Sequence, residues 1–195
     1  LKYMAGVMTA LAIQGLVVYM AILKGFTGLS PVRFLKKFLP VMGFAFSTAT
    51  SNATIPMSID TLNKKMGVSK QISSFTIPLG ATINMDGTSI MQGVAVIFIA
   101  EAYGIHLTPA NLATVVVTAT LASIGTAGIP SVGLVTLAMV LNSVGLPTEG
   151  IALIMGIDRI LDMLRTAVNI TGDAVCTTIV SHQEKALNRE VFNRD

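Results

Sequence analysis

Long apolar runs set the pattern of this chain, and what interrupts them is as informative as the runs themselves. Tyr3 to Leu23 is apolar over a length that can cross a bilayer, with Gly6, Gly15 and the polar Gln14 inside it. Phe38 to Ile59 carries no charge, but its middle reads Ser47-Thr48-Ala49-Thr50-Ser51-Asn52-Ala53-Thr54-Ile55-Pro56, a poor continuous helix. Ile72 to Ala100 is broken by Asn84-Met85-Asp86-Gly87-Thr88, where the helix should unwind and free backbone carbonyls. From Ala102 to Thr148 there is no Lys, Arg, Asp or Glu, and Ala122 to Gly133 is rich in glycine and hydroxyls. Two short apolar arms around such a tip predict a hairpin, bounded by Thr108-Pro109 and Pro147-Thr148.

The last apolar run, Gly156 to Asp173 with flanks reaching Ile151 and Ser181, carries Asp158, Arg159, Asp162, Arg165 and Asp173. A charge at the bilayer centre costs roughly 2.5–3.5 kcal/mol on insertion scales, so this span needs a reason for them. At about 100° per residue, positions 158, 162, 165, 169 and 173 share an arc of roughly 80°. One reading is a salt-bridged stripe joining helices. The sharper reading is a polar wall facing a buried site for a charged small molecule and cations.

Charge placement orients these segments. Lys24, Arg33, Lys36 and Lys37 precede the uncharged second run, and Lys64, Lys65 and Lys70 follow it. A segment basic at both ends most simply enters and leaves on one, cytoplasmic, face. Ser30 to Lys64 is therefore expected to be a re-entrant hairpin with its tip near Thr50–Ala53, with an interfacial amphipathic segment as the alternative. Glu101 marks an opposite exit, so the second hairpin enters from outside. Asn52-Ala53-Thr54-Ile55-Pro56 resembles Thr126-Ala127-Gly128-Ile129-Pro130, which makes the hairpins an inverted pair. That pattern points to a carrier with a site at mid-membrane.

Composition agrees with a membrane chain: of 195 residues, 52% are hydrophobic, 12% are charged and none is Trp. The length allows one ordinary domain. The net charge of +3 comes without a basic patch interleaved with aromatics, so nucleic acid is not an expected partner. The single Cys176 excludes an internal disulfide. A start at Leu1 leads us to expect a piece of a longer protein.

Hard cations need oxygen ligands, and the mid-span candidates are Asn84, Asp86, Asn169 and Asp173. Ordinary interhelical hydrogen bonds would explain the same residues. Arg165 can grip a carboxylate bidentately and Asp162 can face an ammonium; an internal Asp162–Arg165 pair is the alternative.

Residues 84–88 (NMDGT), 122–130 (ASIGTAGIP) and 158–173 (DRILDMLRTAVNITGD) strongly resemble the dicarboxylate/amino acid:cation symporter family of glutamate and aspartate transporters. The resemblance implies an all-α membrane protein with transmembrane helices and two re-entrant helical hairpins in an inverted repeat. Residues 1–27 would be the family's sixth helix, 28–66 hairpin one and 67–104 the broken seventh helix. Residues 105–146 would be hairpin two, the gate, 147–182 the eighth helix and 183–195 a cytoplasmic tail. It implies cation-coupled symport of aspartate, glutamate or dicarboxylates by an elevator-like movement in the cell (inner) membrane, by a homotrimer when full-length. Substrate would be held by Arg165, Asp162, Thr166, Asn169 and Thr88, with Ser51, Ile129 and Gly133 completing the pocket. Sodium would sit among Gly80, Asn84, Asn169 and Asp173, and a second ion among Thr82, Ser123, Ile124 and Thr126. Asp86 with Asn84 would serve a third, and protons are the other candidate for coupling. Ala49 and Met163 stand where many members carry an arginine. Among enzymes, the competing expectation is an intramembrane aspartyl protease using Asp86 and Asp173, although Ile170-Thr171-Gly172-Asp173 lacks the usual Gly-x-Gly-Asp.

Overall fold

The computed structural model describes residues 1–124 and 130–194, and every regular element among them is a helix. Helix α1 (Lys2–Ala12) runs through a π-helical stretch (Ile13–Val18) into α2 (Tyr19–Thr27), forming one rod. Two helices then pack back to back, α3 (Pro31–Thr48) and α4 (Ser51–Met66). α5 (Lys70–Ile83) and α6 (Asp86–Ala102) are the halves of one broken helix. A second packed pair follows, α7 (Pro109–Ser123) and α8 (Val132–Ser143). A 3-10 turn (Thr148–Ile151) leads into α9 (Ala152–Gln183), and a short α10 (Arg189–Asn193) closes the chain. The rod Lys2–Thr27 and the pair Lys70–Ala102 are each long and apolar enough to cross a membrane.

Local chemistry explains where the hairpins begin. Ser30 accepts the Arg33 amide at 3.4 Å, with Pro31 at the first helical position. Thr108 accepts the Asn111 amide at 3.2 Å, Asn111 Oδ1 accepts the Thr108 amide at 2.9 Å, and Pro109 follows. Both are serine/threonine caps followed by a proline whose missing N–H costs nothing there.

The first hairpin turns at Ala49 and Thr50, slightly earlier than the polar run suggests. Ala49 adopts the left-handed region at φ 51° and ends α3, and α4 is helical from Ser51 straight through Pro56. Packing overrides propensity here, because Ser51, Thr54, Ser58 and Thr61 form a buried face of small side chains. Thr54 also returns its hydroxyl to the Ser51 carbonyl at 2.6 Å.

Helix α9 is the axis, and two apolar cores divide it along its length. Its first half contributes Ile154 and Leu161 to a core shared with Tyr3, Val7, Met91, Ile99, Leu137 and Leu141. Its second half contributes Ile170, Ala174 and Val175 to a core with Leu23, Phe34, Phe38, Leu62 and Met66. The α7–α8 pair thus belongs to one core and the α3–α4 pair to the other, and Val168 packs on both. The chain next to the base of each pair lies at opposite ends of α9. Ser69 N donates to Ser181 Oγ at 3.3 Å at one end, while Gly150 abuts Ile99 at the other.

Candidate functional site

The seam between the two cores is where α9 turns polar. Asp158, Asp162, Arg165, Asn169 and Asp173 are all buried, as their shared helical arc requires, whereas Arg159 points outward. These five groups divide into two clusters.

The first is built on Arg165, whose side chain is 1% exposed. Its Nη1 donates to Asp158 Oδ1 at 2.8 Å and its Nη2 to Asp162 Oδ1 at 2.8 Å. The internal Asp162–Arg165 pair is therefore present, and Asp158 completes it as a triad. Asp162 also reaches outside its helix, with Oδ2 accepting the Ser131 amide at 2.8 Å. Ser131 begins α8 in the left-handed region at φ 61°, which turns its N–H toward α9. Gly133 follows, and a Cβ there would stand 3.1 Å from both Thr88 Cγ2 and Met91 Cε and 3.7 Å from Arg165 Nη2. The second hairpin therefore approaches the guanidinium with bare backbone.

Four buried polar atoms around this cluster lack partners among the described residues: Tyr3 Oη, Gln92 Oε1, Asp158 Oδ2 and Arg165 Nε. Burying such groups costs about 1–3 kcal/mol each, so the region is built for polar company. Gln92 is anchored through its other end, donating to Thr136 Oγ1 at 2.7 Å and the Gly133 carbonyl at 3.3 Å.

The second cluster lies where α5 and α6 part. Asn84 Nδ2 donates to Asp173 Oδ1 at 2.8 Å and to the Asn169 carbonyl at 3.2 Å. Asn169 Oδ1 accepts the Gly87 amide at 2.7 Å, one of the N–H groups the break leaves without a helical partner. Gly80 lies directly beneath Asp173, and a Cβ there would collide with its carboxylate. A cleft of about 200 Å³, lined by Thr76, Gly80, Asn84, Asp173 and Cys176, opens onto this carboxylate. Asp86 is held from a different side: its Oδ2 accepts from Gln14 Nε2 at 3.0 Å and from Tyr19 Oη at 2.9 Å.

The structure thus gathers Thr88, Gly133, Asp162 and Arg165, and separately Gly80, Asn84, Asn169 and Asp173. Thr166 is buried and donates its hydroxyl to the Asp162 carbonyl at 2.9 Å. Ser51 is buried, and its backbone carbonyl accepts from the Thr54 hydroxyl inside α4. Thr82 is exposed and bonds to Pro78, whereas Ser123 is buried and accepts from Ser89 at 2.6 Å. Ile124 is exposed. Thr126 and Ile129 lie outside the described residues. Asp86 and Asp173 each have their own donors rather than one shared proton, which is a poor arrangement for an aspartyl protease.

Sequence reasoning placed Asp158 on the polar arc and read Gln14 as a packing residue, but gave neither a partner, and it gave no role to Tyr19. For Asp158 the signal existed: seven residues before Arg165 is two turns, about 20° away on the helix. For Gln14 it was a lone amide in an apolar span. Tyr19 had no signal.

The family model of the sodium:dicarboxylate symporter family matches residues 1–183. An excitatory amino acid transporter of Caenorhabditis elegans is 44% identical over 184 residues, covering 94% of this chain and 37% of the relative. Excitatory amino acid transporter 2 of Homo sapiens is 42% identical over 184 residues, covering 94% of this chain and 32% of the relative. A neutral amino acid transporter A of Bos taurus is 42% identical over 165 residues, or 84% of this chain and 31% of the relative. The chain spans about a third of the length of these curated relatives.

Proposed function

This chain belongs to the sodium:dicarboxylate symporter family, and from that premise we propose that it is the substrate-carrying core of a cation-coupled carrier for acidic amino acids or dicarboxylates. Arg165 is the carboxylate anchor and Asp162 the ammonium anchor. The observation that carries this reading is Arg165 itself, buried in the seam with both faces of its fork already holding carboxylates. A guanidinium so placed is preorganised to exchange one of these carboxylates for the planar carboxylate of a substrate.

An incoming carboxylate displaces Asp162 rather than Asp158. Asp162 is the more exposed of the two, with 11% of its side chain accessible against 1%. Once displaced, Asp162 is free for the ammonium of the same substrate. Its movement also breaks the bond to Ser131, so substrate arrival is transmitted to the second hairpin, which we assign as the gate. Thr88, Thr166, Asn169, Ser51, Ile129 and Gly133 complete the pocket.

Sodium is co-transported cargo, held first at Gly80, Asn84, Asn169 and Asp173. Two further positions use Thr82, Ser123, Ile124 and Thr126, and Asp86 with Asn84. Substrate and ions bind together because either alone leaves uncompensated buried charge. Re-entrant hairpins, an elevator-like movement, a trimer and residence in the inner membrane complete the proposal. Calorimetric titration of aspartate into the full-length protein tests it. Binding should be tight with sodium and weak without it. Affinity that ignores sodium, or preference for a neutral amino acid, would overturn it.

A further inference from the structure

The residues after α9 do not trail away from the bundle. Phe192 of α10 is fully buried, in the same core as Phe34, Phe38, Leu62 and Met66. The backbone that carries it is knitted to the open end of the first hairpin. Asn188 N donates to the Gly67 carbonyl at 2.8 Å, and a Cβ at Gly67, where φ is 69°, would collide with the Asn188 carbonyl. Arg189 Nη2 donates to the Thr27 carbonyl at 2.6 Å, and Arg33 Nη1 to Asn193 Oδ1 at 2.9 Å.

One side chain joins these strands of chain. Lys37 Nζ donates to the carbonyls of Lys65 at 2.9 Å, Val191 at 3.1 Å and Arg194 at 2.6 Å. An ammonium has three N–H donors, and three carbonyl oxygens lie within hydrogen-bond distance of this one. Those acceptors sit at the ends of α4 and α10, where helices leave carbonyls without partners and present negative dipole ends. Thr27 is likewise the last residue of α2. Three helix ends are therefore capped by one arrangement.

We infer that residues 188–194 form a clasp, with Lys37 as its keystone, that holds the open end of the α3–α4 hairpin shut against the bundle. Opening of that hairpin at its base requires the clasp to let go, while the α7–α8 hairpin is independent of it. This inference stands on contacts within the chain and does not depend on the proposed substrate.

Hydrogen exchange on the full-length protein tests it. Lys37→Met should speed exchange of amides in α3 and α4 by about tenfold or more while leaving α7 and α8 unchanged. Lys37→Arg, which keeps the charge and donors, should restore much of the protection. Ending the chain after Ala186 should match or exceed Lys37→Met. If truncation prevents folding, Lys37→Met decides alone. Unchanged exchange in α3 and α4, or equal loosening of both hairpins, overturns the clasp.

Discussion

The α3–α4 and α7–α8 hairpins share a plan but are fastened differently. Each starts with a hydroxyl cap and a proline, and each has a non-glycine residue in the left-handed region, Ala49 in one and Ser131 in the other. The first lies against the second half of α9, its base tied down by Lys37 and Phe192. The second shows more of itself to the outside: Val116, Leu121, Val135 and Met139 are each more than 60% exposed. Besides the apolar core it shares with Ile154 and Leu161, it is tied to α9 by a charge-assisted bond, Ser131 to Asp162, inside the polar cluster. The lesson is that a hairpin held by apolar packing and capped helix ends stays put. One whose tip is tied in addition through a carboxylate answers to whatever else that carboxylate binds.

Substitutions can break or sharpen this contrast. Arg165→Ala should have the largest effect, because it strands two buried aspartates. It should cost about 3–5 kcal/mol of stability and abolish aspartate binding. Thermal unfolding with and without aspartate measures both, and a variant of unchanged stability would mean that the triad is not formed. Asp162→Ala should come next, at about 2–3 kcal/mol for a charge-assisted bond to buried groups. Its signature is local: exchange should quicken in α8 but not in α4, and loosening of α4 would erase the distinction between the hairpins.

Gly80→Ala tests the second cluster, which belongs to neither hairpin. Its Cβ would collide with the Asp173 carboxylate, at a cost of about 1–3 kcal/mol. Stabilisation by sodium should shrink while exchange in both hairpins stays as it was. The smallest effects are at the caps. Thr108→Ala should cost about 1 kcal/mol, and Ser30→Ala less, since its bond is longer and lacks the reciprocal half. Equal losses in chemical denaturation would show that cap geometry does not separate the two.

Much of this was legible in the sequence for definite reasons. The arc of Asp158, Asp162, Arg165, Asn169 and Asp173 follows from helical spacing alone, and all five are buried together. The break around Asn84 was marked by polar residues within an apolar run, though only Asn84 and Met85 leave helical form. The division of the arc into two clusters was not legible, because it depends on which neighbours arrive: Ser131 from one hairpin, Asn84 and Gly80 from the broken helix. Nor was the clasp. A run of charged residues reads as solvated, and only Asn188 as a cap and the lone Phe192 hinted at a docked turn.

The π-helical stretch in the first rod has a consequence for register. The Tyr19 amide reaches back five residues to the Gln14 carbonyl. In ordinary α geometry side chains five apart diverge by about 140°, too far for Gln14 and Tyr19 both to meet Asp86. The widened turn stacks them over one oxygen. The stretch holds one residue more than an ordinary α turn, so deleting a single residue between 13 and 18 lets the rod close into regular α geometry and keeps Tyr3, Val7 and Leu11 facing the core they share. A single insertion in the regular helix upstream of the stretch, between Leu11 and Ile13, is the graver lesion, because it turns those three by about 100° and swings them out of that core.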